Sequence, residues 1–145
     1  TERIGEMPKL SRWFVKGGLL YFVAALLLAV GDAIWAWGGA HYDPRVLYPV
    51  FLHFFMVGWV AQLIFGVAHW MFPRRSKEAP RGDERVAWGV FVALNAGLLM
   101  RGIAEPAFTL SPAPIWSGML FLSGVFQLAA AILFTGLLWP RIRGK

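Results

Sequence analysis

This chain of 145 residues predicts an all-α fold, an integral membrane four-helix bundle with its N and C termini cytoplasmic. Three observations carry that prediction. The sequence is 58% hydrophobic and only 15% charged, too few charges to solvate a globular surface in water. Its apolar residues gather in four runs, each about the ~20 residues needed to cross a ~30 Å hydrocarbon core. Each run is too continuous for the one-sided stripe of a soluble helix. Finally, the basic residues alternate by connection, and the whole chain, 1–145, reads as one transmembrane domain.

The elements follow in order. Arg3, Lys9 and Arg12 precede a first span over 13–38, and Lys16 stands in its first turn. That run is longer than a signal-peptide core, and no small-residue cleavage site closes it. A second span over 46–72 has Pro49 in its first turn, where a missing N–H costs little. The stretch from Pro73 to Glu84, PRRSKEAPRGDE, reads as a solvated loop, with Arg74, Arg75, Lys77, Arg81 and Arg85 in this connection. A third span covers 86–104, and Pro112 and Pro114 introduce a fourth over 114–139. Arg141, Arg143 and Lys145 close the chain.

Twelve of the fourteen basic residues thus fall on one side, leaving Arg45 and Arg101 elsewhere. The positive-inside rule makes that side cytoplasmic, and the expected setting is a cell inner membrane, crossed several times. The net charge of +6 then needs no nucleic acid to explain it. Seven of the eight tryptophans lie near span ends, where an amphipathic ring prefers the interface, and Trp59 does not.

With no cysteine, thiolate ligands, iron–sulfur clusters and disulfides are excluded, so histidine or carboxylate must serve any metal. No pair of carboxylates, nucleophile with base, or phosphate-binding glycine loop stands at a workable spacing, so independent catalysis is not expected. The informative residues are polar ones that a membrane makes expensive: Asp32, His53, Gln62, His69, Asn95, Arg101, Glu105 and Gln127. With the termini inside, Asp32, His53, Arg101 and Glu105 fall toward the outer ends of their spans. Arg101 and Glu105 stand four apart and can pair along one helix face. The pair either satisfies itself near the interface or anchors an acidic ligand group through the arginine fork. Asp32 reads as a solvated or capping residue.

A wheel at about 100° per residue puts His53 on one face with Met56, Val57, Val60, Ile64, Val67 and Met71. His69 falls about 160° away, on the side of Gly58, Gln62 and Gly66, and ~24 Å along the axis, so one metal cannot join the two histidines. The glycine side reads as a packing seam. The His53 side offers an imidazole and branched apolar side chains, which a flat apolar cofactor requires. A lone membrane histidine is more often bonded to a neighbouring helix than to a metal, so composition alone favours that reading of His53. His69 reads as interfacial, and His41 as a residue of the outer loop.

The stretch His53-Phe-Phe-Met-Val-Gly58-Trp59-Val60, continuing through Gly66 to Met71-Phe72-Pro73-Arg74, resembles the heme-ligating helix of the heme-copper oxidase catalytic subunit. The likeness is greatest to the cbb type and the related nitric oxide reductases, and it covers one helix in four. In that family the helix carries two histidines one residue apart. The position of the first, which serves the oxygen-reducing heme, is Phe51 here; His53 matches the second, which ligates the low-spin heme. The copper-binding histidines have no counterparts among three histidines. The resemblance therefore implies heme b, ligated at its iron by His53, with Met56, Trp59 and Val60 in the cofactor's surroundings and no oxygen-reducing centre. A second likeness, in the stretch from Asn95 to Pro106, is to the third helix of small relatives of that superfamily, and it makes Arg101, with Glu105, a partner for a heme propionate.

A second axial ligand is not supplied by the matching helix. A homo-oligomer, a dimer above all, would present His53 twice across a twofold axis. His41 within the chain, or Met56 from another copy, are alternatives, as is a five-coordinate iron that binds a gas. The expected function is a membrane b-type heme protein for electron transfer or for binding nitric oxide or oxygen. Two other readings stand beside it: a heme-free accessory subunit of a larger respiratory-type complex, and a small transporter using Arg101 and Glu105.

Overall fold

A computed structural model describes residues 6–39 and 41–142, so Arg3, Arg143 and Lys145 lie outside the described residues. Among these residues all regular structure is helical, and four helices are long and apolar enough to cross a membrane. We number them α1 (Lys9–Gly38), α2 (Tyr48–Met71), α3 (Glu84–Leu110) and α4 (Pro114–Leu138), the last followed by a 3-10 turn, Trp139–Arg141.

Local chemistry sets the helix ends. Gly39 closes α1 in the left-handed conformation at φ 72°, which costs a residue without Cβ nothing. Pro49 stands at the start of α2, and Phe72, held extended by Pro73, ends it. Asp83 caps α3 by accepting from the Arg85 backbone N–H at 2.8 Å, and Pro114 opens α4. The third helix runs beyond the expected 86–104. It passes through Pro106 to Leu110, and the ladder is intact beyond the proline, where the Ser111 N–H meets the Ala107 carbonyl at 2.9 Å. A proline deletes one rung, and here the helix tolerates that loss rather than stopping.

The middle of α2 departs from uniform winding. Between an α-helical start, Tyr48–His53, and an α-helical end, Gln62–Met71, the segment Phe54–Ala61 is a π-helix. Its i→i+5 bonding turns less per residue than an α-helix, so a wheel at constant pitch loses register immediately after His53.

The core occupies the end of the bundle where the chain begins. Phe14 of α1 meets Phe65 of α2 at 6.2 Å and Phe91 of α3 at 5.2 Å. Phe65 stacks on Phe134 of α4 at 3.9 Å, so two rings join all four helices. Glycines bring α1 and α2 together: a Cβ at Gly58 would stand 2.6 Å from the Tyr21 ring, and one at Gly66 2.8 Å from Phe14. Beyond Ala25, α1 buries nothing, and α4 buries nothing before Ser123. The opposite half of the bundle is more open, with Val46, Val50 and Ala104 as its buried apolar residues.

Three segments meet at the packed end. Glu6 near the start, the 70–74 corner, Arg81 and Arg141 line one cavity, and Pro8–Leu10, His69 and residues 78–82 with Glu84 line another. The two ends of the described chain and the long connection thus share one face of the bundle.

Candidate functional site

His53 ends the first α-helical stretch of α2, in the open half. Its Nδ1 lies 2.9 Å from the Pro49 carbonyl oxygen, one turn back. A carbonyl only accepts, so Nδ1 carries the hydrogen and, in the neutral ring, Nε2 keeps its lone pair. Nε2 has no hydrogen-bond partner among the described residues, and the side chain is half-buried. The tautomer is the one that binds a metal through Nε2, with a backbone carbonyl in the position of an orienting partner.

The residues grouped with His53 on the wheel divide in the structure, for the reason that the π segment supplies. Met56 is 54% exposed and faces outward, whereas Val57 packs on the core and Val60 is half-buried. Trp59 lies against α1, its ring 4.1 Å from Phe22 and 4.8 Å from Phe55. Phe51 continues that aromatic row, 5.7 Å from Phe55. Below the π segment, Ile64, Val67 and Met71 are exposed, so the outward face of α2 is apolar over its length. An open apolar groove of about 460 Å³ lies beside this region between α1, α2 and α3, lined by Ala24, Leu27, Val50, Phe54, Leu99 and Gly102 among others. His53 does not line it.

Arg101 and Glu105 pair on α3, Nη1 to Oε2 at 2.8 Å, with about a fifth of each side chain exposed (19% and 20%). The Arg101 Nε is buried and has no acceptor, which leaves one donor of the guanidinium unused. The other outer arginine is committed: Arg45 grips Asp43 with two donors, at 2.9 and 3.1 Å. Those hydrogen bonds hold the Asp43 carboxyl below its ordinary range. Asp32 accepts from the Tyr42 hydroxyl at 2.9 Å, which raises the phenol's pKa because the bond favours its protonated form. His41 is exposed in the same loop, in the left-handed region at φ 49°.

The other polar residues of the spans serve packing. Asn95 bonds the Phe91 carbonyl at 2.8 Å, and Gln127 donates to Ser123, whose hydroxyl reaches the Gly97 carbonyl at 2.6 Å. His69, expected at the interface, is 6% exposed and borders a cavity that the start of α1 and residues 78–82 also line. Gln62 is fully buried against Gly17 in the α1–α2 seam, with neither amide atom paired.

Sequence reasoning missed two features. The Pro49 carbonyl as the partner of His53 was signalled only by the four-residue spacing. Arg141 enters the sequence reading only as one of the basic residues that close the chain, yet it is 2% exposed and donates to the carbonyls of His69, Phe72 and Pro73 at 3.0, 2.6 and 2.9 Å. The signal was Pro73 itself, which has no N–H to offer the His69 carbonyl. No group of three histidine, aspartate or glutamate side chains gathers to hold a metal among the described residues. No family model matches the chain, and neither a curated protein nor a solved structure matches it.

Proposed function

We propose that this chain is a b-type heme-binding protein of a cell inner membrane, with its packed, basic end on the cytoplasmic side and His53 as an axial ligand. The observation that carries the reading is the His53 ring, locked by the Pro49 carbonyl at 2.9 Å with Nε2 uncommitted in an apolar span. The locked ring presents its lone pair without a rotamer search, with the carbonyl as its orienting partner. Bound there, heme b would supply a one-electron couple or a site for nitric oxide or oxygen. Arg101 would hold a propionate through its unused Nε, while Glu105 keeps the guanidinium oriented.

A second copy of the chain suits the remaining axial position. The two His53 rings would face each other across a twofold axis, and the exposed Leu52 and Met56 beside them would be covered by the same contact. The test is a reduced-minus-oxidised visible spectrum of detergent-purified protein from heme-replete cells, with a pyridine hemochrome assay. The expected result is a sharp b-type band at about half a heme per chain. About one heme per chain places the site within each chain, and no band ends the heme reading in favour of a heme-free subunit. His53→Ala should lose the heme; full heme content in that variant would exclude His53.

A further inference from the structure

The side chains of Lys9, Arg12 and Lys16 stand on one face of α1 at its basic end and, with Trp13, line a shallow cavity of about 290 Å³. All four are exposed, and Trp13 is braced edge-on by Trp88 at 6.5 Å and Phe91 at 6.2 Å. The three cations have no carboxylate partner among the described residues, and the first turn of α1 holds no acidic residue. Among the other cations at this end, Arg141 is buried against carbonyls and Arg75 and Arg81 have partners, whereas Arg74, Lys77 and Arg85 are exposed. Lys9 and Lys16 are ~10 Å apart along the axis, with Arg12 between them. Three like charges on two turns repel, and an anion among them would relieve that repulsion.

The same face continues into lipid-like surface. Leu20, Val23 and Leu27 follow Lys16 at helical spacing and are 73%, 55% and 68% exposed. We infer that the basic end of α1 binds an anionic glycerophospholipid, with its phosphate held by Lys9, Arg12 and Lys16 and its acyl chains laid along Leu20, Val23 and Leu27. Arg12 presents the planar fork suited to phosphate, the two lysines act as point charges, and Trp13 sits at the level of the ester groups. The inference rests on the four helices lying in a bilayer and is independent of heme.

The test is native mass spectrometry of the full chain in detergent, titrated with phosphatidylglycerol or phosphatidylcholine. Phosphatidylglycerol should be retained preferentially. Neutralising Lys9→Gln, Arg12→Gln and Lys16→Gln together should weaken it about a hundredfold, or about fivefold per position. The matched triple Arg74→Gln, Lys77→Gln, Arg85→Gln, at the same end, should leave binding about unchanged. All six side chains are exposed, so both variants should elute as the native protein does, and their heme spectra should not change. Equal retention of the two lipids, or equal losses in the two triples, overturns the site. Displacement of the lipid by millimolar inorganic phosphate would mark a free-anion site and overturn it as well.

Discussion

Arg141 shows how one side chain closes a defect that another residue creates. Pro73 deprives the His69 carbonyl of its helical partner, and the turn beyond it leaves the Phe72 and Pro73 carbonyls open. The Arg141 guanidinium donates to all three. These bonds join the end of α4 to the end of α2. Arg141→Ala should destabilise the protein by about 2–4 kcal/mol, because one buried and two part-buried carbonyls lose a charged donor. Arg141→Lys should recover only part of this, since an ammonium cannot fork between them. Thermal unfolding in detergent reads both, and an unchanged midpoint in Arg141→Ala would show that the cap carries no stability. In the open half, on the proposed heme reading, Arg101→Ala should loosen heme without abolishing ligation, because Arg101 would hold a propionate and not the iron. Unchanged heme content and potential would remove Arg101 from the site.

At the scale of the element, α2 is two α-helical stretches joined by a π segment, and its glycines have unequal roles. Gly58 and Gly66 accept α1 at distances that leave no room for a methyl group, 2.6 Å to Tyr21 and 2.8 Å to Phe14. Gly58→Ala or Gly66→Ala should therefore cost about 1–3 kcal/mol through forced repacking. On α4, Gly118, Gly124 and Gly136 have nothing within 4 Å of a built Cβ. Alanine there should be neutral or mildly stabilising, because it restricts the unfolded chain without a clash. Chemical denaturation of the two sets separates seam from surface; equal effects would refute the seam.

For the whole molecule, the decisive feature is uneven packing. Aromatic rings from all four helices interlock at the basic end, while the outer halves of α1 and α4 bury nothing. Dispersion and close approach hold helices together where lipid supplies no hydrophobic drive, so the packed end is the rigid one. The open end is where a cofactor or a second copy has room. Orientation is testable because the chain has no cysteine of its own. Lys77→Cys should resist a membrane-impermeant maleimide in intact spheroplasts, and Pro112→Cys should react. The reverse pattern would invert the topology.

The four helices and the side on which the cations lie were legible in the sequence, because desolvation acts on composition over twenty residues at a time and needs no knowledge of neighbours. The Arg101–Glu105 pair was legible for a related reason, since i,i+4 spacing is a property of a single helix. The resemblance that singled out His53 rests on one helix, and nothing in composition announced the π segment that follows. That segment lies against Tyr21 and Phe22 of α1, which are distant in the chain. Tertiary contact alone decided the rest: His69 is buried beside a cavity lined by the start of α1 and the loop, and Arg141 is buried where the ends of α2 and α4 meet. Each is a choice between water and a partner distant in the chain, and the partner's position is known only once the helices have packed.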